Sequence, residues 1–436
     1  MFEKEEEKLK DYHEKIKKLP VDDLALQKAI QQGVQQAKMT NSRTRRKRNW
    51  LFTVASIAVV MILFVTSIRI SPTFANAVSR IPGMGKIVEM IEYDKGMQSI
   101  LDNEYYEELN ESITVDHMKL TLTGAILDET GLVVFYTLEA PFDLTDLRFD
   151  EVAIFHNGKK IESSIVYNDP NQQYAKIKDD YASFLFAEQQ RFDVQDFTLQ
   201  LKVANEEETE FNLPFTLTKA AGKGQVYPLN ETVTIDQQKI TVESVEIHPL
   251  RVKVRLSYDE SNTMDIFQIE NIKLVDENGE DWSKIQNGMS GRTVDDRTED
   301  YYLQSNYFKQ PEKLFLELSQ IQALEKDAAQ LIIDPWKKKV VQQPNDQILD
   351  ITNVESGFVE GRFKVEDDFS YATFSSITNE DGSEVELLSE SSYSHDEEGY
   401  AYFTVTFNEA DVKGPLHFEF FAYPNYLKGK ETIEIK

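Results

Sequence analysis

The 436 residues contain no cysteine. That absence excludes a disulfide framework, thiolate zinc sites, iron–sulfur centres and a cysteine nucleophile. Histidine is scarce, and the six that occur (His13, His117, His156, His248, His395 and His417) never fall at the spacing of a zinc site. They read as scattered surface or strand residues. No Gly-x-Ser-x-Gly elbow, Walker loop or Gly-x-Gly-x-x-Gly turn is present. The chain therefore reads as a non-enzyme with no cofactor and no bound metal. At about 150 residues per domain it has room for two to four domains.

Positive charge is the other shortage. Against 76 acidic side chains stand only 47 basic ones, a net charge of −29. The imbalance is uneven, because residues 1–49 hold 13 Lys/Arg and 8 Asp/Glu, net +5, and everything after them carries −34. Between these two parts runs Trp50 to Ile68, 19 residues without a charge. As a helix it spans roughly 28 Å, close to a hydrocarbon core.

A transmembrane helix over 50–70 is therefore expected. Arg43, Arg45, Arg46, Lys47 and Arg48 precede it, and Trp50 stands where an interfacial ring would lie. Basic clusters stay on the cytoplasmic side, so the N-terminus is expected inside the cell membrane and the C-terminal part outside, in a single pass. Lipid headgroups and orientation explain the cluster more simply than phosphate of a nucleic acid, so no nucleic-acid partner is expected. A cleaved signal peptide is the rival reading, since Ala75-Asn76-Ala77 fits a cleavage site. The 49-residue leader and the length of the apolar stretch favour an uncleaved anchor.

The first 49 residues are patterned for two short helices. Leu9, Tyr12, Ile16 and Leu19 recur at helical spacing among Glu and Lys, Pro20 stops the pattern, and Asp22 or Asp23 can cap a second helix carrying Leu24, Leu26, Ile30 and Val34. Such a segment cannot easily bury a core of its own. The helices either pair with each other, lie on the membrane surface, or dock in a groove of a cytoplasmic partner. Gly33 and the Gln-rich stretch around it weaken the second helix and favour folding on binding.

The outer part repeats. LNESITVDHMKLTL from Leu109 and LNETVTIDQQKITV from Leu229 share seven of fourteen residues at an offset of 120. Downstream, VVFYTLE and VKVRLSY, the Gly turns at Gly158 and Gly279, the acidic pairs before Tyr181 and Tyr301, and a closing strand recur in the same order. A fainter third copy runs through ILDITNV, GRFKVED, the turn at Gly382, YAYFTV and LHFEFFA. Period-2 alternation with frequent turn signals predicts a mainly β chain of tandem immunoglobulin-like antiparallel β-sandwiches. The expected organisation is a cytoplasmic helical segment at 1–49, the span at 50–70, a juxtamembrane stalk and helix at 71–106, and sandwiches at 107–221, 222–338 and 339–436. The juxtamembrane helix, with Met84, Ile87, Val88 and Ile91 on one face, is expected against the bilayer or the base of the first sandwich.

Two local patterns admit sharper readings. The acidic turn Asp276 to Asp281 has the residue types of a calcium loop, but its counterpart around Gly158 has no acid and Asn-Gly signals a hairpin by itself, so a turn is expected. Asn110 and Asn230 stand in Asn-x-Ser/Thr triplets and are expected to be turn residues of the repeat.

The charged helices, the Pro20-Val21-Asp22-Asp23-Leu24 start, the basic run, the span, then Pro82-Gly83-Met84-Gly85-Lys86 and Tyr93-Asp94-Lys95-Gly96 together resemble a family of single-pass membrane proteins of low-GC Gram-positive bacteria. Its members look like anti-sigma factors of extracytoplasmic-function sigma factors. The likeness covers roughly residues 20–220, and the later sandwiches resemble extra C-terminal domains of some members. The resemblance implies that the N-terminal helices hold a sigma factor and that an envelope signal relieves the hold. Many anti-sigma factors use a larger cytoplasmic domain with a His/Cys zinc motif. This chain lacks both, so release by proteolysis within 71–80 is the expected route. The alternative from another class is a cell-surface binding or adhesion protein, with a cell-wall or envelope ligand and no sigma-factor partner.

Overall fold

The computed structural model describes residues 94–436 except 171–174, 193–194, 205–207, 286–289, 328, 366–368, 370 and 394–398. The chain divides into two units, Met1–Val60 and Met61–Lys436, and the described residues all belong to the second. Among the described residues no helix is long and apolar enough to cross a membrane. The apolar run Trp50 to Ile68 and the two expected cytoplasmic helices lie outside the described residues.

The described chain is mainly β, with antiparallel sheets and the helix α1 (Lys95–Asp102). The first sandwich uses β1 (Glu107–Val115), β2 (Met118–Leu127), β3 (Gly131–Glu139), β4 (Arg148–His156), β5 (Lys159–Lys160), β6 (Ser163–Tyr167), β7 (Ile177–Phe186), β8 (Asp196–Ala204) and β9 (Glu208–Thr216). One sheet has the order β1-β2-β3-β7-β6 and the other β5-β4-β8-β9. Setting aside the outer strand β1, this is the A-B-E-D and C-F-G order of an immunoglobulin sandwich with a short extra strand beside C. Strand β9 shows the cause at sequence level: in ETEFNLPFT, Thr209, Phe211, Leu213 and Phe215 alternate inward. Each such apolar side chain contributes about 1.5–3 kcal/mol of burial.

The second sandwich repeats the plan with β10 (Gln225–Ile235), β11 (Gln238–Ile247), β12 (Val252–Tyr258), β13 (Met264–Asp276), β14 (Asp281–Ser283), β15 (Gly291–Asp295), β16 (Thr298–Leu303) and β17 (Leu314–Glu325). The repeated motif is a hairpin in both copies. Its two-residue turns, Asp116-His117 and Asp236-Gln237, hold φ of 46° and 67°, then 44° and 66°, the doubly left-handed backbone of a type I′ turn. Asn110 and Asn230 do not sit in that turn. They lie at β-bulges, between Glu108 and Glu111 in one copy and Pro228 and Glu231 in the other, with Asn230 at φ 54°. Gly158, Gly279 and Gly382 adopt φ of 72°, 82° and 77° with open space around them, so backbone conformation rather than crowding selects glycine there.

The third sandwich departs from the expected boundaries. Its strands are β18 (Leu331–Asp334), β19 (Lys339–Gln342), β20 (Leu349–Val354), β21 (Phe358–Lys364), β22 (Phe374–Asn379), β23 (Leu387–Tyr393), β24 (Tyr400–Phe407) and β25 (Leu416–Phe420), in sheets β20-β21-β24-β23 and β19-β18-β25-β22. The last strand, β26 (Tyr426–Glu434), returns to the second sandwich, whose second sheet is β14-β13-β17-β26. In the first sandwich, β9 follows β8 in sequence and pairs with it. In the next two, the strands at that position are exchanged: β18 pairs with β25, and β26 pairs with β17. The unit expected at 339–436 is thus corrected to one starting at β18 and ending before β26.

The boundary expected at 338/339 falls at the turn of the β18–β19 hairpin. Its Lys337 N–H donates to Asp334 Oδ1 at 3.0 Å. The exchange is built by the length of β17: Ile321 and Ala323 belong to the core of the second sandwich and Leu324 to that of the third.

Candidate functional site

Helix α1 starts where a carboxylate can cap it. Asp94 Oδ1 accepts the N–H of Met97 at 3.0 Å, and the helix buries Met97, Ile100 and Leu101. The part of the expected juxtamembrane helix that carries Met84, Ile87, Val88 and Ile91 lies outside the described residues, and the described helix begins at Lys95. The buried face of α1 is seated on the first two sandwiches together. Met97, Ile100 and Leu101 join one cluster with Ile126, Val133, Phe135 and Tyr181 of the first sandwich and Leu250 of the second.

Strand β3 makes this seat. Its LVVFY run buries both faces: Leu132, Val134 and Tyr136 enter the first core, while Val133 and Phe135 face the helix cluster. A strand apolar on both faces needs a cover on each.

The Asp94-Lys95-Gly96 stretch binds the helix start to the second sandwich. Lys95 N–H donates to Gln304 Oε1 at 3.1 Å and Lys95 Nζ to the Asp281 carbonyl at 2.9 Å. Gly96 has no room for a side chain, since a Cβ there would come 2.6 Å from the Ser305 backbone nitrogen.

Behind the helix, corresponding hairpin loops of the two sandwiches meet. Asp128, fully buried in the β2–β3 loop, accepts Thr130 N–H at 2.7 Å, the Thr130 hydroxyl at 2.7 Å and Gly131 N–H at 3.0 Å on Oδ1. Its Oδ2 reaches across to Leu250 N–H at 2.8 Å. Beside it, Arg251 is only 5% exposed, and its Nε has no hydrogen-bond partner. Its guanidinium carbon lies 5.6 Å from the Tyr302 ring centroid. Burial draws Arg251 below its ordinary pKa, while Asp128, Tyr302 and Asp94 favour its charge. Burial also pushes the Asp94 carboxyl up, against the backbone N–H groups of Met97 and Gly96 and the charge of Arg251. The joint therefore holds a buried cation balanced by carboxylates from the helix cap and the first sandwich. Pulling either away is costly.

Residues 45–140 match a domain of unknown function (DUF4179). That match takes in Arg45 to Arg48 of the basic cluster, the apolar run, both juxtamembrane motifs, α1 and β1 to β3. Residues 224–355 match a family of unknown function (DUF5643). No functionally curated protein matches the chain. Among solved structures, a conserved domain protein from Bacillus anthracis is 15% identical with a TM-score of 0.38, over 54% of this chain and 84% of its own. A cycloalternan-forming enzyme from Listeria monocytogenes, in complex with pentasaccharide substrate, is 8% identical with a TM-score of 0.15, over 67% of this chain and 29% of its own. A marsupial T cell receptor is 8% identical with a TM-score of 0.13, over 70% and 97%. None is close enough to transfer topology or activity, and the fold rests on the strand pairings above.

Leu24, Leu26, Ile30, Val34, Arg45, Arg46, Lys47, Arg48, Trp50, Pro82, Gly83, Met84, Gly85 and Lys86 all lie outside the described residues. Asp128 and Arg251 were not singled out by sequence reasoning. The signal for their joint was the unbroken apolar run of β3, against the alternating VKVRLSY of β12. The acidic turn closes on itself, as Asp276 Oδ1 accepts Asn278 N–H and Glu280 N–H, each at 2.8 Å. Among the described residues no cluster could hold a metal ion.

A second contact at the joint is sensitive to acid. Glu246 receives Lys253 Nζ at 2.7 Å and, from the first sandwich, Gln189 Nε2 at 2.7 Å, with His248 Nε2 at 3.5 Å. Burial works to raise its pKa, but the hydrogen bonds from His248 and Lys253 prevail and bring it to about 2. A depressed carboxylate stabilises the fold above its unfolded pKa and loses that contribution as pH falls through the folded value. The melting temperature should therefore exceed that of Glu246→Gln at neutral pH, and the difference should shrink from about pH 4.5 down to about 2. A constant difference across that range would remove Glu246 from the account.

Proposed function

We propose that this protein is a membrane-anchored regulator of the anti-sigma type. On this reading the N-terminal helices hold an extracytoplasmic-function sigma factor through Leu24, Leu26, Ile30 and Val34. Trp50 to Ile68 crosses the cell membrane once, with Arg45, Arg46, Lys47 and Arg48 on the cytoplasmic side, and the immunoglobulin-like sandwiches sense the envelope outside.

The observation that carries the reading is the seat of α1. A helix continuous in chain with the juxtamembrane segment is wedged into the joint of the first two sandwiches, against a buried arginine balanced by Asp94 and Asp128. A change in the angle between those sandwiches must move α1 or strand that charge. The same segment then conveys the change toward the membrane, where proteolysis within 71–80 frees the sigma factor. Finding only full-length protein while the sigma regulon is induced would exclude that route.

Capture of the tagged full-length chain from membranes tests the sigma-binding part. A sigma factor should accompany the protein and be lost from the Ile30→Asp/Val34→Asp variant, and unchanged capture would remove that helix face. A cleft between the second and third sandwiches favours a second reading, a surface-binding protein with no sigma partner. Deleting residues 1–40 without changing any regulon would select it.

A further inference from the structure

Two chain crossings tie the third sandwich to the second, one after β17 and one before β26. The tie is reinforced where Tyr423 N–H donates to Gln322 Oε1 at 3.0 Å, and where the Tyr371 hydroxyl donates to Glu270 at 2.9 Å. Phe267 and Phe420 pack edge to face at 6.4 Å between the two bodies. A joint held at this many points keeps its shape without a ligand, and beside it lies a cleft of about 760 Å³.

On the wall of the cleft acidic side chains outnumber basic ones. Asp259, Asp265, Asp296 and Glu419 face it and are exposed. Among the described residues the carboxylates of Asp265 and Asp296 take part in no hydrogen bond or close ion pair. Of the three basic side chains that line it, the two arginines are paired with carboxylates, while Lys326 acts on Asp265 through its charge. Arg292 bonds Asp300 and the Ala187 carbonyl, Arg297 pairs with Glu260 at 3.2 Å, and Lys326 Nζ donates to the Glu260 carbonyl. Phe421, 42% exposed, adds an aromatic face, the arrangement that attracts organic cations.

The cleft also offers backbone. Strand β22 is the outer strand of its sheet and enters the cleft with Ser375 and Ser376. From Ile377 onward its edge is covered, because the Ile377 carbonyl accepts Val385 N–H and Asn379 N–H donates to the Ser383 carbonyl. Among the described residues no strand pairs with the outer side of Phe374 to Ser376. Across the cleft the outer strand β15 contributes Gly291 to Thr293. Open strand edges recognise extended peptide through main-chain hydrogen bonds.

We infer that the cleft between the second and third sandwiches docks an extended cationic peptide, which adds as a short strand to the open end of β22 and sets its basic side chains against Asp265 and Glu419. This goes beyond the regulator reading and does not depend on it, because peptide binding and sigma capture are separate measurements on the same chain.

The test uses the full-length protein in lipid nanodiscs and a fluorescent peptide of four Lys-Phe repeats with blocked ends. Saturable one-to-one binding is expected, with the Glu-Phe counterpart not bound. The Asp265→Asn/Glu419→Gln variant should bind about tenfold more weakly, while Glu208→Gln, an exposed acid on the first sandwich, should bind as the parent does. Equal weakening by Glu208→Gln would mean general attraction to an acidic chain and would overturn the site. N-methylation of alternate peptide nitrogens on the strand-pairing side should abolish binding, and binding that survives it would overturn strand addition. Displacement of the peptide by spermidine at matched charge would reassign the cleft to small amines and overturn the peptide as its occupant.

Discussion

A chain ending at Asn425 should lose the second sandwich while keeping the first. Strand β26 pairs with β17 from Phe315↔Glu434 to Gln322↔Tyr426, and with the residue after it supplies Leu427, Ile433 and Ile435 to the second core, each at most 8% exposed. Losing buried aliphatic side chains costs about 2–5 kcal/mol apiece, against a total stability of about 5–15 kcal/mol for an ordinary domain. Deletion of Tyr426–Lys436 should therefore abolish hydrogen-exchange protection in β11, β12 and β17 but leave β2, β3 and β8 protected. A synthetic Tyr426–Lys436 peptide added in trans should restore part of it, because the vacated groove retains its shape only when filled by a strand. Unchanged protection after the deletion would refute the strand exchange. The same pairing makes folding of the second sandwich wait for the end of the chain, and such non-local closure is slow.

Asp128→Ala should be the most damaging single substitution at the joint. Its carboxylate closes its own hairpin with three hydrogen bonds and crosses to the second sandwich with the fourth, through Leu250 N–H. Removing it orphans those donors and takes a counter-charge from the buried Arg251. Together these cost about 3–5 kcal/mol. Chemical denaturation of the full chain should show a lowered midpoint, and exchange at α1 should rise. Adding Arg251→Met should recover part of the loss, because the uncompensated cation is then gone. A double variant no more stable than Asp128→Ala alone would mean that charge balance does not hold the joint.

The repeat was legible because it is written locally. The shared LNE–T–D–K–T pattern carries a bulge, a type I′ turn and the alternation of two strands. Each of these is a property of a few adjacent residues. The acidic pairs were visible too, and their second members prove to be buried: Asp180 lies opposite Tyr136, and Asp300 accepts both Nε and Nη2 of Arg255 at 2.7 and 2.9 Å. Their burial could not be read, since it depends on which residue of the neighbouring strand stands across the ladder.

The sandwich boundary after residue 338 was misplaced for a related reason. LIID and YLKGKETIE are both short strands with apolar residues to bury, and either satisfies the open edge of either neighbouring sheet. Periodicity names a strand's inward face but not its partner.

By itself the amino-acid sequence determined the mainly β class, the antiparallel repeat and the turns, because alternation, glycine and paired left-handed positions act over a few residues. It also held, in the unbroken LVVFY of β3, a demand for cover on two faces. Only the tertiary structure decided what meets that demand, which strands complete the second and third sandwiches, and how Arg251 comes to be buried beside Asp94 and Asp128. Those outcomes depend on residues far apart in sequence competing for the same edges and the same buried volume, and that competition is resolved only when the whole chain packs.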